Sequence, residues 1–428
     1  MILTDALIPD WVATTNIYEV NLRQYTKEGT FKAFAKHLPR LKDMGVEVIW
    51  FMPVTPISIK NRKGTLGSYY ACSSYVQTNP EFGTIDEFKS LVQQIHGLGM
   101  KVIIDWVANH TGWDHEWTVA HPEYYSKNAD GTFKPPVENW EDVIHLNFNN
   151  PALREAMIDD MKFWVEECDI DGFRCDMAML VPLDFWLQVR KELDAVRPLF
   201  WLGEFDQWGG DEPYASAFDV SYSWHWMHIS ETFYKNKSKL AVLDNALGGY
   251  QLKQPYKHIR SFFTTNHDEN SWNGTEYEKY GDAAIPFAVF CSMWNGIPLI
   301  YSGQELPNQK RLAFFDKDEI KWKATPKLHT FYQTLLRFRK QHPALKAASR
   351  SVITWRIATT QLDELFSFVR KAGTREVITI LNFSNQKVKF QINDTRLAGS
   401  FIDLFTGNEH SITEQFTIAP WGYLIFHK

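Results

Sequence analysis

Four short strings in this sequence each close an apolar run with side chains that can do chemistry. They are Asp105-Trp106-Val107-Ala108-Asn109-His110, Gly172-Phe173-Arg174-Cys175-Asp176, Gly203-Glu204 and Thr264-Thr265-Asn266-His267-Asp268. A lone Asp after an apolar run is as often the N-cap of the next helix as a functional group. Four such ends in one chain argue for convergence on one site. Three carboxylates, Asp176, Glu204 and Asp268, with Arg174 and the imidazoles of His110 and His267, fit cleavage of a glycosidic bond. That reaction needs one acid and one carboxylate across the scissile linkage, which leaves the third carboxylate to hold the sugar. Arg174 precedes Asp176 by two residues, so on a strand the two share a face and the guanidinium would keep that carboxylate ionised. Glu204 has the opposite need: crowding by Asp176 and Asp268 would raise its pKa so that it carries a proton.

For these groups to meet, the runs before them must be strands of one sheet with their polar ends on one side. From residue 17 the chain alternates short β-rich runs with longer amphipathic segments, the pattern of βα units and a parallel sheet. Strands are predicted at 17–20, 46–51, 101–105, 171–174, 200–203, 218–220, 261–265 and 298–301. Helices are predicted at 30–44, 84–98, 151–168, 183–196 and 282–294. Thr84 with Glu87, and Pro151 after Asn150, supply helix-start signals. Eight strands with helices between them read as an α/β fold, a (β/α)8 TIM barrel over 1–110 and 151–342, whose functional groups gather at the C-terminal ends of the strands. Residues 111–150 show neither period and contain Gly131, Pro135 and Pro136, so they form a short inserted subdomain after the third strand. From 343 to 428 the pattern changes to short alternating runs at 352–355, 365–369, 377–381, 387–392 and 423–426, a C-terminal antiparallel β-sandwich domain.

Composition narrows the partners. The chain is 44% hydrophobic and 22% charged, as an ordinary folded soluble protein is. Lys and Arg number 45 against 51 Asp and Glu, a net charge of -6 with no basic block, so nucleic acid is excluded as a partner. Aromatic residues reach 15%, with 17 Trp and 17 Tyr. Trp106, Trp113, Trp140, Trp208 and Trp272 fall in predicted barrel-top segments, where flat rings can stack on sugars as well as pack. Cys72, Cys168, Cys175 and Cys291 are irregularly spaced and expected to be reduced. Met1 is followed by Ile2-Leu3-Thr4-Asp5, with neither a basic stretch nor an apolar core, and no run of about eighteen apolar residues occurs. No membrane partner is expected. The expected compartment is the cytoplasm, or the periplasm or exterior if a leader has been trimmed.

The four strings, in this order, resemble the ordered short regions of the α-amylase family, glycoside hydrolase family thirteen. Leu66-Gly67-Ser68-Tyr69-Tyr70, Asn79-Pro80-Glu81-Phe82-Gly83-Thr84 and Pro298-Leu299-Ile300-Tyr301-Ser302-Gly303-Gln304-Glu305 extend the likeness over nearly the whole chain. The resemblance implies a retaining hydrolase of α-1,4-glucosidic bonds in starch-like polysaccharides or maltooligosaccharides. Asp176 would be its nucleophile, Glu204 its general acid and base, and Asp268 the carboxylate on the sugar hydroxyls. It further implies that His110 and His267 contact that sugar, that Arg174 orients the nucleophile and that Tyr70 stacks under the ring, with Trp106 and Trp272 as further substrate contacts. Cyclomaltodextrinase, neopullulanase, α-glucosidase and glucan transferase activities belong to the same kind of site. A non-catalytic carbohydrate-binding protein is the reading from another class, and the retention of all three carboxylates argues against it. No cofactor is needed for the chemistry. Asn109 matches a residue that ligates calcium in such enzymes, and the insertion offers Asp130, Glu138, Glu141 and Asp142, which leaves a structural calcium open. Two strings depart from the family: Met177-Ala178-Met179-Leu180 stands where many members carry a Lys-His pair, and Glu269-Asn270-Ser271-Trp272-Asn273-Gly274 lacks the Arg that often follows the third carboxylate. The sequence is silent on oligomeric state.

Overall fold

The computed structural model describes residues 8–206, 212–253 and 258–428. In chain order its strands are β1 (Ile17–Val20), β2 (Val48–Phe51), β3 (Lys101–Trp106), β4 (His110–Gly112), β5 (Val143–His145), β6 (Gly172–Cys175), β7 (Phe200–Gly203), β8 (Val220–Tyr222), β9 (Ile259–Phe262) and β10 (Ile297–Tyr301). The C-terminal strands are β11 (Val352–Arg356), β12 (Leu365–Ala372), β13 (Arg375–Asn382), β14 (Val388–Phe390), β15 (Ser400–Asp403), β16 (Glu409–Ser411), β17 (Phe416–Ile418) and β18 (Tyr423–His427). Eight of them, all parallel, close a barrel in the order β1-β10-β9-β8-β7-β6-β3-β2, while β4 and β5 pair with each other inside the insertion.

Alternation along each strand sorts the side chains into two cores. Ile17, Val48, Trp50, Ile103, Phe200, Leu202, Val220, Ile259 and Leu299 fill the barrel interior. Ile49, Phe51, Val102, Ile104, Phe173, Cys175, Trp201 and Phe262 face outward against the helices. The two-residue period carries the inward parity past the interior layer: Ile103 is followed inward by Asp105, Leu202 by Glu204, and Gly172 by Arg174 and then Asp176. The apolar residues that hold the barrel together thereby aim the polar ones at its mouth. Gly172 fixes the start of β6 against β7. Its φ is +156°, and a Cβ there would stand 2.0 Å from the Phe200 carbonyl oxygen, so only glycine permits that register.

The helix starts foreseen at Thr84 and Asn150 form. Thr84 Oγ1 accepts the Glu87 N–H at 3.3 Å while Glu87 returns a carboxylate to the Thr84 N–H at 3.0 Å, and Asn150 Oδ1 accepts the Ala152 N–H at 3.0 Å. The single helix expected over 30–44 is two, Phe31–Ala35 and Leu38–Met44. Pro39 lacks the N–H and crowds the preceding turn, so the helix breaks before it. Strand β8 begins two residues later than expected. Strand β9 ends at Phe262, leaving Thr264 and Thr265 in the loop that leads to Asp268.

The C-terminal strands form a six-stranded antiparallel sheet, β11-β12-β13-β18-β15-β16, faced by the pair β14-β17. Strands β15, β16 and β17, three to four residues each, were not anticipated because runs so short show little periodicity. One side of the large sheet packs on the barrel: Phe287 stacks on Phe383 with centroids 4.4 Å apart, and Phe366, Phe368 and Leu381 join the outer core. All four cysteines are free and buried. Among the described residues no helix is long and apolar enough to cross a membrane.

Candidate active site

Arg174 is fully buried, its guanidinium carbon 5.0 Å from the Trp50 ring centroid and 5.7 Å from that of Tyr222. Nη1 donates to Asp105 Oδ1 at 2.9 Å and to Asp176 Oδ1 at 3.0 Å, and Nε donates to the Tyr222 hydroxyl at 3.1 Å. Nη2 lies 2.7 Å from Glu204 Oε2, an ionic contact whose angle is too bent to count as a hydrogen bond. One cation therefore holds three carboxylates, contributed by the ends of β3, β6 and β7. The chain turns sharply straight after Asp176: Met177 adopts φ 41° and ψ 45°, left-handed for a residue with a side chain. Such a conformation costs about 1–3 kcal/mol. Here it aims the Met177 N–H at Glu204 Oε2, 2.8 Å away.

A second chain of contacts reaches the site from β1 and the loop after β9. His267 Nδ1 is 2.5 Å from Glu19 Oε1, and Nε2 is 2.7 Å from the Tyr70 hydroxyl and 3.2 Å from Asp268 Oδ2. The Tyr70 hydroxyl in turn donates to Asp105 Oδ2 at 3.1 Å. Burial works against a charge on His267, but Asp268 and Glu19 outweigh it and push the imidazole pKa well above its ordinary value. With both ring nitrogens then protonated, Tyr70 accepts from His267 and donates to Asp105. His110 behaves differently: burial, then the neighbouring His145, pushes it down to about 3, so it is neutral.

The acids divide by surroundings. Burial drives Asp176 up to about 6 against the pull of Arg174, with Asp105 and Asp268 adding to the rise. Burial also drives Glu204, up to about 7, again against Arg174 and with Asp176 and Asp268 adding. Burial would raise Asp268 too, but the His267 imidazolium outweighs it and holds that carboxyl below its usual range. Arg174 pulls Asp176 toward the ionised form, as expected, but desolvation exceeds that attraction and the pKa rises. Both carboxyls are thus raised, and crowding among the acids favours a state in which one of the pair is ionised and the other protonated.

These groups open into a cavity of about 460 Å³ lined by Tyr70, His110, Asp176, Glu204, His267 and Asp268, with Trp140, Trp272, Phe314, Phe315 and Lys63 forming its walls. The sequence-predicted carboxylates and histidines, Tyr70 and Trp272 are therefore brought together, with Arg174 beneath them. Trp272 is 52% exposed and presents a free face. Trp106 does not join them, a correction to its expected substrate contact. It is 1% exposed, stacked on Tyr75 with centroids 5.0 Å apart, because the strand period that turns Asp105 inward turns Trp106 outward. Trp113 packs under Lys60 and donates to the Glu141 carbonyl at 2.8 Å, and Trp208 lies outside the described residues. Sequence reasoning missed Glu19, Tyr222, Lys63, Phe314 and Phe315. The adjacent phenylalanines in a polar loop were a usable signal; Glu19 and Tyr222, inside apolar strands, gave little.

The side chains put forward for calcium do not gather. Asn109 is buried, with its amide nitrogen 3.2 Å from His110 Nδ1. Asp142 pairs with Lys63 at 3.2 Å, Asp130 closes its own turn on Thr132, and Glu138 and Glu141 are exposed. Among the described residues no group of three or more His, Cys, Asp or Glu is arranged to hold a metal ion.

The chain is similar to Alpha-amylase MalA of Haloarcula japonica, 26% identical over 88% of this chain, and it spans 56% of that relative's length. Among solved structures it is similar to the maltogenic alpha-amylase AmyB of Thermotoga neapolitana, with a TM-score of 0.88, 28% identity and coverage of 97% of this chain and 99% of that one. It is similar also to an alpha-amylase of Lactobacillus plantarum, with a TM-score of 0.88, 29% identity and coverage of 98% and 100%. The family model for the alpha amylase catalytic domain matches residues 10–141 and 138–325, which takes in all eight barrel strands and every carboxylate of the site. The chain belongs to the alpha-amylase family.

Proposed function

We propose that this protein is a retaining glycoside hydrolase acting on α-1,4-linked glucans or maltooligosaccharides. Asp176 is the nucleophile, Glu204 the general acid and base, and Asp268 the carboxylate that holds the sugar. The observation that carries the reading is the sharing of Arg174: Asp176 and Glu204 contact the two terminal nitrogens of one guanidinium, at a depth where burial raises both carboxyls, so that one can be ionised while the other keeps its proton. In a retaining pair the two carboxyl groups stand roughly 5–5.5 Å apart, one ionised and one protonated.

In the first step Asp176 attacks the anomeric carbon and Glu204 protonates the departing glycosidic oxygen, giving a glycosyl ester on Asp176. Water then attacks the same carbon while Glu204, now ionised, takes its proton, and two inversions return the original configuration. Asp268, a carboxylate steadied by His267, accepts hydrogen bonds from the sugar hydroxyls of the donor ring. Neutral His110 offers a ring nitrogen to the same ring, and Tyr70 lies flat beneath it. Trp272 and Trp140 flank the chain beyond. Every step uses two carboxyls and water, with no metal. The relatives that carry the name alpha-amylase support the substrate class.

The test is incubation of wild type and Glu204→Gln with maltoheptaose, cyclomaltodextrin and pullulan, with products followed by chromatography and anomer-resolved NMR. Release of α-anomers from maltoheptaose by wild type, and a loss of about 10²–10⁴-fold in Glu204→Gln, is expected. β-anomers would exclude the double displacement, and turnover of no glucan would exclude the substrate class.

A further inference from the structure

Three loops meet beside the donor ring's place: residues 59–67 after β2, residues 139–142 of the insertion and residues 312–318 after β10. Lys63 Nζ donates to the Asn139 carbonyl at 3.0 Å and lies 3.2 Å from Asp142 Oδ1, so its ammonium ties the first loop to the insertion. On the other flank the Thr65 N–H and hydroxyl both donate to Asp316 Oδ1, at 2.8 and 2.6 Å, and the Leu66 N–H donates to the Phe315 carbonyl at 3.0 Å. Gly64 marks how tightly the loops press together: its φ is +65°, and a Cβ would stand 2.5 Å from Phe315 Cβ.

This wall continues directly from the sugar-holding groups. The Phe314 ring lies 6.2 Å from Tyr70 and within 14° of parallel, 6.4 Å from His267 and 5.1 Å from Phe315. Glu204, by contrast, contacts Arg174 and the Met177 N–H and touches none of these loops. The wall thus adjoins the groups that hold the donor sugar and not the acid that serves the leaving group. With the assignment of Asp176 and Glu204 made above, on which this reading rests, the walled side receives the donor part of the substrate. That part runs toward the non-reducing end of the glucan.

We propose that the junction of these three loops, latched by Lys63 on one flank and Asp316 on the other, closes the donor end of the cleft. Only a short donor segment fits between the wall and Asp176, so the enzyme works inward from non-reducing ends and releases short maltooligosaccharides. Lys63 and Asp316 determine specificity through the position of the loops and take no part in bond breaking.

The test compares p-nitrophenyl maltoheptaoside with the same compound capped at its non-reducing end by a 4,6-O-ethylidene group, using the full chain. The capped compound is expected to be cut at least about tenfold more slowly, because the extra bulk meets the wall. Lys63→Ala and Asp316→Ala, each of which opens one latch, are expected to raise the capped-to-uncapped rate ratio and to lengthen the first products. Equal rates on both compounds with wild type would overturn the closed end while leaving the retaining hydrolase in place. A slow capped reaction that neither variant relieves would overturn the role of the latches. No turnover of either compound would remove the reading on which this one rests, and the proposal with it.

Discussion

Two buried arginine sites in this molecule solve the same physical problem in opposite ways. Arg174, at the barrel mouth, is neutralised by three carboxylates. Arg370, where the C-terminal sheet meets the barrel, has no acidic partner among the described residues. Its guanidinium donates to the carbonyls of Trp294, Leu345 and Lys346 and to the Asn295 side chain, and burial lowers its pKa with nearby Arg339 adding to the effect. Arg339 is likewise held by the carbonyls of Thr15, Ser292 and Gly296. Backbone carbonyls satisfy a guanidinium without placing any proton under its control. Carboxylates do both: their mutual repulsion and desolvation spread their pKa values, and that spread is what acid–base chemistry uses. The first arrangement suits a domain junction, the second a catalytic site.

The sharpest way to break this comparison is to remove each guanidinium in turn. Arg174→Met leaves a buried cluster of acids without its cation, a stability cost of roughly 3–5 kcal/mol, and the loss of the group that holds both catalytic carboxyls should lower kcat/KM on maltoheptaose by about 10²–10³-fold. A variant keeping more than a tenth of wild-type activity would show that Arg174 does not govern the pair. Arg370→Met should act on the fold alone. Leaving several buried carbonyls unpaired costs about 2–4 kcal/mol in chemical denaturation, while kcat per folded molecule stays at the wild-type value. A fall in kcat at full folding would erase the distinction between the sites.

A smaller effect tests the spread of pKa values. Asp176 must be ionised and Glu204 protonated, so kcat/KM should fall as pH drops below about 6 and fall again as pH rises above about 7. Loss of the alkaline limb in Glu204→Gln, measured on its residual activity, would assign that limb. A wild-type profile flat across both values would contradict the division of roles. The smallest effect is expected from Trp272→Ala. Its exposed face contributes stacking alone, about 0.5–1.5 kcal/mol, read as a rise of about two- to tenfold in KM with kcat unchanged.

How much of this was readable beforehand follows from how local each feature is. The three carboxylates and Arg174 stand at strand ends in contiguous strings, so type and order sufficed to find them. The same strings concealed the fate of Trp106, although the period of two that puts Arg174 and Asp176 on one face also puts Asp105 and Trp106 on opposite faces. The break of the 30–44 helix followed from Pro39, a local rule that the helical periodicity of the flanks obscured. Glu19 was out of reach, because its role depends on His267, 248 residues away. The latch between Lys63 and the insertion is equally non-local, and its residues carry no pattern that separates them from ordinary surface polar groups. The raised pKa of Asp176 could not be foreseen because depth of burial, which outweighs the neighbouring charge, is a tertiary quantity.

The unequal count of acids and bases around Arg174 has a further consequence for what the cleft prefers to hold. Five carboxyl groups, Glu19, Asp105, Asp176, Glu204 and Asp268, face two fixed cations, Arg174 and His267. A neutral sugar gains little from that surplus. At the moment of bond breaking the ring becomes an oxocarbenium-like cation, and the fixed negative field is then worth most. An inhibitor bearing a protonated nitrogen at the position of the anomeric carbon would draw on the same field throughout its stay. Its affinity should therefore exceed that of the uncharged sugar of equal shape, and should strengthen as rising pH ionises the remaining acids.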